Sequence, residues 1–491
     1  MSLTSPEAPP MEFGSDSNTP LRPRETITAS PTSSVWRDLP ESLFRQHVVE
    51  LEKLTNAVPV DAQTFPLPDA PEADAAGETG TSFKAHIDGT SASTGMRNDF
   101  RDSDSYYEHL QPRQLTLATE QRLADDIAYL IAVGEGAQSV AATTVQEHRA
   151  RHRVEEQQQD AGLRVVIASV DAIQPSSQAF LRSIFQLLSA TPPTKKAHCL
   201  LDLVVRHHQA RLLNRLRSAK WKKPVYLSRT HKKPLYADFA NLVHRIQFLY
   251  IKKEAAARAQ LERELLSLGS LLEAFEAETN DHEKLLEIVR SSYELCNSPL
   301  VADYLGRLQA GRATSQIQAC LKTLRQIEKI AAYYRICVTL TSLSHSHAKT
   351  FDNVQLLFLP PFEAVPLTLA YQPWAKFTHV HAEVILAVHH DLEKSDGSWY
   401  RPRCLGASKY FCYLCFLFIR HHGAYFAANT HGACYDQWTI PDLADYPEPV
   451  VKHYRQVLRA MDADILAQKQ GAVWKPEPMT SRENLIGTIG I

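Results

Sequence analysis

Two short stretches on either side of an apolar run place the tightest constraint on what this chain can fold into. The first reads His379-Val380-His381-Ala382-Glu383 and the second Ser408-Lys409-Tyr410-Phe411-Cys412-Tyr413-Leu414-Cys415. Imidazole nitrogen and thiolate sulfur are the ligands zinc prefers, and a catalytic zinc site takes three of them and leaves the fourth position to water. His381, Cys412 and Cys415 supply that set. A fold that uses it must bring the start of one helix, at His381, against the start of another, at Cys412. Three apart at a helix start, Cys412 and Cys415 project from one face, and the helix N-terminus favours the thiolate form that a metal binds. Glu383 stands two residues past His381, where a carboxylate can take a proton from water and hand it on.

The same pattern has plainer uses. A Cys-x-x-Cys pair also serves as a redox couple, or as part of a structural zinc site closed by a fourth protein ligand, for which His421, His422 and His431 are the candidates. The remaining cysteines, Cys199, Cys296, Cys320, Cys337, Cys404 and Cys434, mostly stand alone rather than forming a disulfide framework, and Cys404 and Cys434 read as packing residues.

Composition changes along the chain. Residues 1–110 hold 11 of the 28 prolines and many small polar residues, which predicts a mostly disordered arm. One exception is Leu43 to Leu54, where Leu43, Val48, Leu51 and Leu54 predict a short helix docked on the body. From 111 to 314 the apolar spacing is helical: Thr119 reads as an N-cap before Leu123, Ile127, Leu130 and Ile131, and Phe180, Ile184, Leu187 and Leu188 form another face. Leu261, Leu265, Leu268, Leu272 and Phe275 make a heptad seam, and Asn280 with Glu283 reads as a capping box. Only Arg164-Val165-Val166-Ile167-Ala168 is ambiguous. Residues 315–491 form the third unit: a helix from Ser315, strands at Val354–Leu359 and Leu367–Tyr371, a helix from His381, a short strand at Arg403–Gly406 and a helix over Tyr410–Ile419. The first residues carry no basic and apolar leader pattern, and no run reaches the about 18 apolar residues of a membrane span. The expectation is an intracellular protein without a membrane partner, in the cytoplasm or the nucleus.

The order of elements, with His-Ala-Glu at one helix start and Cys-x-x-Cys at the next, resembles the zinc-dependent cytidine-deaminase-like superfamily over about residues 315–445. More narrowly, Gly406-Ala407-Ser408-Lys409 ahead of the cysteines, followed by Thr430-His431-Gly432 and Trp438, is similar to a fungal-expanded branch of OTT-type nucleic acid and nucleotide deaminases related to bacterial toxin deaminases. Phe411 stands where the superfamily usually has proline. The resemblance implies a three-layer α/β/α C-terminal domain with a zinc ion on His381, Cys412 and Cys415. It implies Glu383 as the catalytic acid and base that moves a proton from water to departing ammonia in the hydrolytic deamination of a nucleobase. The spacing to the glutamate usual in the superfamily favours His381 over His379 as the ligand. Ser408, His431 and Trp438 are candidates for the substrate pocket, with ordinary loop packing as the other use for His431 and Trp438. A second reading keeps the fold and a structural zinc but not the activity, leaving a binding protein.

The formal net charge of -2 hides a basic middle: Arg206 to Lys253 holds 13 Lys or Arg against Asp238 alone. Trp221, Tyr226, Tyr236, Phe239, Phe248 and Tyr250 are interleaved, a composition that suits single-stranded nucleic acid and equally suits a solvated helical face with its aromatics in the core.

Overall fold

The computed structural model describes residues 30, 32–67, 113–134, 136, 139–149, 161–190, 193–224, 233–277, 281–394 and 397–475. The disorder expected over 1–29 and 68–110 falls outside these ranges, as do Tyr226, Arg229, Lys232 and Asn280. In chain order the principal elements are α1 (Glu41–Thr55), β1 (Gln63–Thr64), α2 (Leu117–Ile131), β2 (Ala141–Glu147), β3 (Leu163–Ser169), α3 (Pro175–Ala190), α4 (Pro193–His207) and α5 (Gln209–Leu216). Then come α6 (Phe239–Leu249), α7 (Ala255–Ala277), α8 (Asp281–Cys296), α9 (Pro299–Ala310), α10 (Ser315–Ser346), β4 (Val354–Phe358), β5 (Val365–Pro366) and β6 (Phe377–Val380). The chain closes with α11 (Ala382–Leu392), β7 (Gly406–Ala407), α12 (Tyr413–His422), β8 (Asn429–Thr430), β9 (Trp438–Thr439) and α13 (Glu448–Gln470). The protein is mixed α/β and rich in helix.

The central sheet has strand order β4-β3-β2-β7. β2 and β3 pair antiparallel from Ala141↔Ser169 to Glu147↔Leu163, β4 joins β3 in parallel, and β7 pairs with β2 through Ala142↔Ala407. Side chains alternate across a strand, and the cores follow that period of two. Ala141, Val145, Leu163, Val165 and Ile167 enter one core with α2 and the helices of the middle region, whereas Ala142, Val166 and Ala168 enter a second core with α11, α12 and α13. A strand covered on both faces reads as a continuous apolar run, which explains the ambiguity of 164–168.

This sheet crosses the boundary expected at residue 315. β2 and β3 come from the stretch assigned to a helical domain, and α3 to α10 are inserted between β3 and its parallel neighbour β4. α10, assigned to the third unit, packs instead along α4, α6 and α8 as the spine of the helical body. The heptad positions Leu261, Leu265, Leu268, Leu272 and Phe275 are all buried, each worth about 1.5–3 kcal/mol relative to exposure. Two local expectations change. Thr116, not Thr119, caps α2 by accepting from the Thr119 N–H. Leu367–Tyr371 is not a strand; it lies in the loop of the β5–β6 hairpin, closed where Leu367 N–H donates to Lys376 O.

The N-terminal helix forms, with a different face. Phe44, Val48, Val49 and Leu51 are buried, while Leu43 and Leu54 are exposed. α1 docks on α13, with His47 Nδ1 2.7 Å from Asp462 and a Lys469–Glu50 ion pair along the seam. The chain then runs on to β1, which pairs antiparallel with β8. Residues 32–67 thus form a strap across the C-terminal region.

The basic middle is largely spent inside the fold. Arg211 and Arg215 stack on Tyr129, Arg217 and Lys233 pair with Asp238, and Lys220 pairs with Asp281; Phe239 and Tyr250 are buried. Lys222, Lys223, Lys252, Lys253 and Phe248 face solvent. Among the described residues no helix is long and apolar enough to cross a membrane.

Candidate metal centre

β6 delivers His381. It is held in parallel register against β9, His379↔Trp438 and Val380↔Thr439, and ends at His381, the N-cap of α11. Cys412 is the N-cap of α12, where its sulfur accepts the Cys415 N–H at 3.3 Å. An apolar α12 buried from Tyr413 to Ile419 fixes that start against α11 and α13. The segment before the cysteines is braced by the next loop: Phe411 N–H donates to Asn429 Oδ1, His431 N–H to Phe411 O, and Tyr413 N–H to Ala433 O. The first of these bonds accounts for the missing proline, since a proline at 411 would have no N–H to give.

The result brings three ligand atoms together within 4.8 Å of one another. His381 Nδ1 lies 3.5 Å from Cys412 Sγ and 3.4 Å from Cys415 Sγ. Zinc–nitrogen and zinc–sulfur bonds at a tetrahedral angle require a nitrogen–sulfur edge of about 3.5 Å, so the donor set fits that ion in both chemistry and spacing. Burial works against the Cys412 thiolate, but hydrogen bonding with Cys415 and the His381 charge hold its pKa well below the ordinary thiol value. Cys415 is pushed the other way by burial and by Cys412. Burial opposes charge on His381, yet Cys412 raises its pKa overall.

Glu383 sits in the first turn of α11, 3% exposed, with Oε2 3.4 Å from Cys415 Sγ. Burial raises its pKa, against the opposing pull of His381. Glu383, His381 and Cys412 line a cavity of about 490 Å³ whose other walls include Trp374, His379, Lys409, Tyr410, His431, Tyr435 and Gln437. His379 is therefore a half-buried wall residue and not a solvent-facing one. His431 Nδ1 accepts the Ala433 N–H, and burial lowers its pKa to about 4. It is a neutral imidazole with its proton on Nε2.

Two pocket candidates are placed elsewhere. Ser408 is fully buried with Oγ accepting the Ala141 N–H, so it ties β7 to β2. Trp438 packs between Phe44 and Phe418 in the core under α1. Neither lines the cavity. His421 and His422 pair with Asp464 and Asp391, away from the ligand cluster. His389, His390 and Glu393 form a second cluster, but there Glu393 is paired with Arg164 and His390 Nε2 with Thr144. All eight cysteines are free.

Sequence reasoning did not single out Trp374, Tyr410, Tyr435 and Gln437. All four come from loops. Their signal lay in proximity to the ligand segments, and nothing in their periodicity marks them.

A His/Cys/Cys cluster capable of holding a metal, its two cysteines buried and a carboxylate beside it facing a cavity, is the class of centre this region defines. Residues 380–442 match the family model of the OTT_1508_deam-like deaminases, consistent with an OTT-type deaminase family. No curated protein and no solved structure matches the chain. The family match and the cluster together support a deaminase-like function for the C-terminal region.

Proposed function

We propose that this protein is a zinc-dependent hydrolytic deaminase acting on the exocyclic amine of a nucleobase, in a nucleotide or in nucleic acid. The observation that carries the reading is the zinc-sized triangle of His381, Cys412 and Cys415 opening, beside Glu383, onto the cavity. Zinc bound there supplies Lewis acidity, which brings the acidity of a water near neutral. Glu383 takes the proton. Its burial makes the protonated carboxyl easier to hold, and the proton is then delivered to the departing ammonia, so proton uptake and release balance within one turnover. His431 offers a neutral N–H donor, and Tyr410, Tyr435 and Trp374 offer ring faces for a base. The sheet lying between α2 with the helical body on one side and α11 with α12 on the other supports a cytidine-deaminase-like three-layer reading of the fold. Eight free cysteines suit a reducing, intracellular compartment.

The test is metal content together with ammonia release on a panel of nucleosides, nucleotides and single-stranded oligonucleotides. Zinc near one per chain, lost in Cys412→Ala and Cys415→Ala, with release from at least one substrate, is the expected result. Zinc retained in both variants refutes the ligand set; zinc bound without any turnover leaves the binding-protein reading.

A further inference from the structure

We infer that the rim of the cavity is a stacking platform for a single-stranded polynucleotide, with Trp374 holding a base next to the one that enters the cavity. This rests on the deaminase reading and names its substrate as a polymer. The β5–β6 hairpin places Trp374 at the cavity edge, 69% exposed, and the same hairpin leaves Val365, Leu369 and Phe377 exposed at 55%, 39% and 48%. One exposed indole alone would be ordinary, but four exposed apolar side chains on one hairpin form a grouping of the kind that marks a binding surface. The loop that carries it is anchored: Tyr371 N–H donates to Asp436 Oδ2 and its hydroxyl to Asn56 Oδ1, while Ala375 N–H donates to Gln372 O. The ring is thus presented from a fixed loop. Tyr435, 38% exposed and edge-on to His431, adds a second aromatic at the rim.

Charge selects the occupant. From Ala364 to Ala382 the hairpin carries Lys376 and no Asp or Glu. Among the described residues lining the cavity Glu383 is the sole carboxylate, and Lys409 stands at the wall. Aromatic faces beside ammonium groups match a chain of bases and phosphates. Gly136, Val140 and Val170 line the main cavity, and the neighbouring residues Gly134, Ser139, Ser169 and Asp171 line a second, separate cavity of about 270 Å³. The exposed lysines of the 206–253 segment are not needed for this contact.

The experiment measures binding of labelled mono-, tri- and octanucleotides by fluorescence anisotropy, and ammonia release from the same ligands, in wild type, Trp374→Ala and Trp374→Phe. The exposed position makes a folding failure improbable to begin with, and the Phe variant controls for it. Wild type is expected to gain affinity from mono- to trinucleotide, and Trp374→Ala to lose about 5- to 150-fold of that gain, the range of one base–aromatic stack, with Phe restoring much of it. No gain with length in wild type, or a gain kept in Trp374→Ala, overturns the platform. Length-dependent binding that needs Trp374 but releases no ammonia from any ligand leaves the platform standing and removes the deaminase reading instead. Tight binding of polyanions of any kind, heparin included, with no dependence on Trp374, also overturns it.

Discussion

Gly432 offers the sharpest test of how the strap and the cavity are coupled. It sits at φ +77°, and a Cβ added there would lie 2.0 Å from Val60 O and 2.9 Å from the Val60 carbonyl carbon. Both are backbone atoms, so no rotamer change relieves the overlap, and in Gly432→Ala the strap must lift from the loop at 429–436. The left-handed conformation alone costs an alanine roughly 1–2 kcal/mol. Lifting also weakens the Cys434 N–H to Ala57 O and Phe65 N–H to Ala428 O bonds and the β1–β8 pairing, each worth about 1 kcal/mol net. The closed arrangement should therefore lose up to about 4–5 kcal/mol, which lowers hydrogen-exchange protection at the Phe65 and Cys434 amides by up to about three orders of magnitude. Gly423→Ala is the control: its φ is +73° but nothing lies within 4 Å of the added carbon, so only the conformational cost applies, at the end of α12. Since the same loop carries His431, Tyr435 and Gln437, a displacement near 1 Å should also cut kcat/KM by about 100-fold while the metal stays bound. Protection at Phe65 and Cys434 unchanged from wild type, or equal losses in the two variants, would refute the close-approach argument.

Two other variants probe the chemistry and the scaffold. Glu383→Gln keeps size and most hydrogen bonding, so zinc should remain while turnover falls by about two to four orders of magnitude; loss of zinc would make Glu383 a ligand, and undiminished ammonia release would remove it from the mechanism. Asp391 joins three helices: it accepts from His422 and Tyr454 at 2.8 Å and from Arg401 at 2.7 Å. Although burial raises it, these partners hold its pKa at about 2. A carboxyl depressed in the folded state stabilises above its unfolded value near 3.9 and loses that contribution as pH falls through about 2, so Asp391 should supply about 2.5 kcal/mol that disappears in that window. Denaturant midpoints measured from about pH 5 to 2 should fall less steeply in Asp391→Asn than in wild type, and parallel curves would contradict the linkage.

The clustering of His381, Cys412 and Cys415 was legible because its constraint is local: a helix start fixes Cys412 and Cys415 on one face, and His381 needs only a neighbouring helix. The heptad seam of α7 was legible for the same reason, since one face of one helix carries the whole signal. β2 was not. Ala-Ala-Thr-Thr-Val-Gln-Glu has no apolar alternation, because Thr144 is satisfied by His390 on one face and Gln146 by Tyr400 O at the strand end. Ser408 and Trp438 lie near cavity residues in sequence and away from the cavity in space, because Ser408 is engaged by the Ala141 N–H and Trp438 packs between Phe44 and Phe418. Of the strap, the docked helix was legible from Val48 and Leu51; the stretch beyond it was hidden by its prolines, which predict no core, yet it runs on to pair β1 with β8.

That strap changes what counts as the smallest working unit. A composition-based cut falls near 110, so a recombinant chain designed on it would begin after Thr64. Such a chain keeps His381, Cys412 and Cys415 together with Glu383 and Asp391. It would also strip α1 from α13, bare an apolar stripe, and unpin the loop beneath Tyr435. An inactive or aggregated truncation would then report on where the cut was made, not on whether the intact protein is an enzyme, and complementation by a peptide spanning 32–67 would tell the two apart.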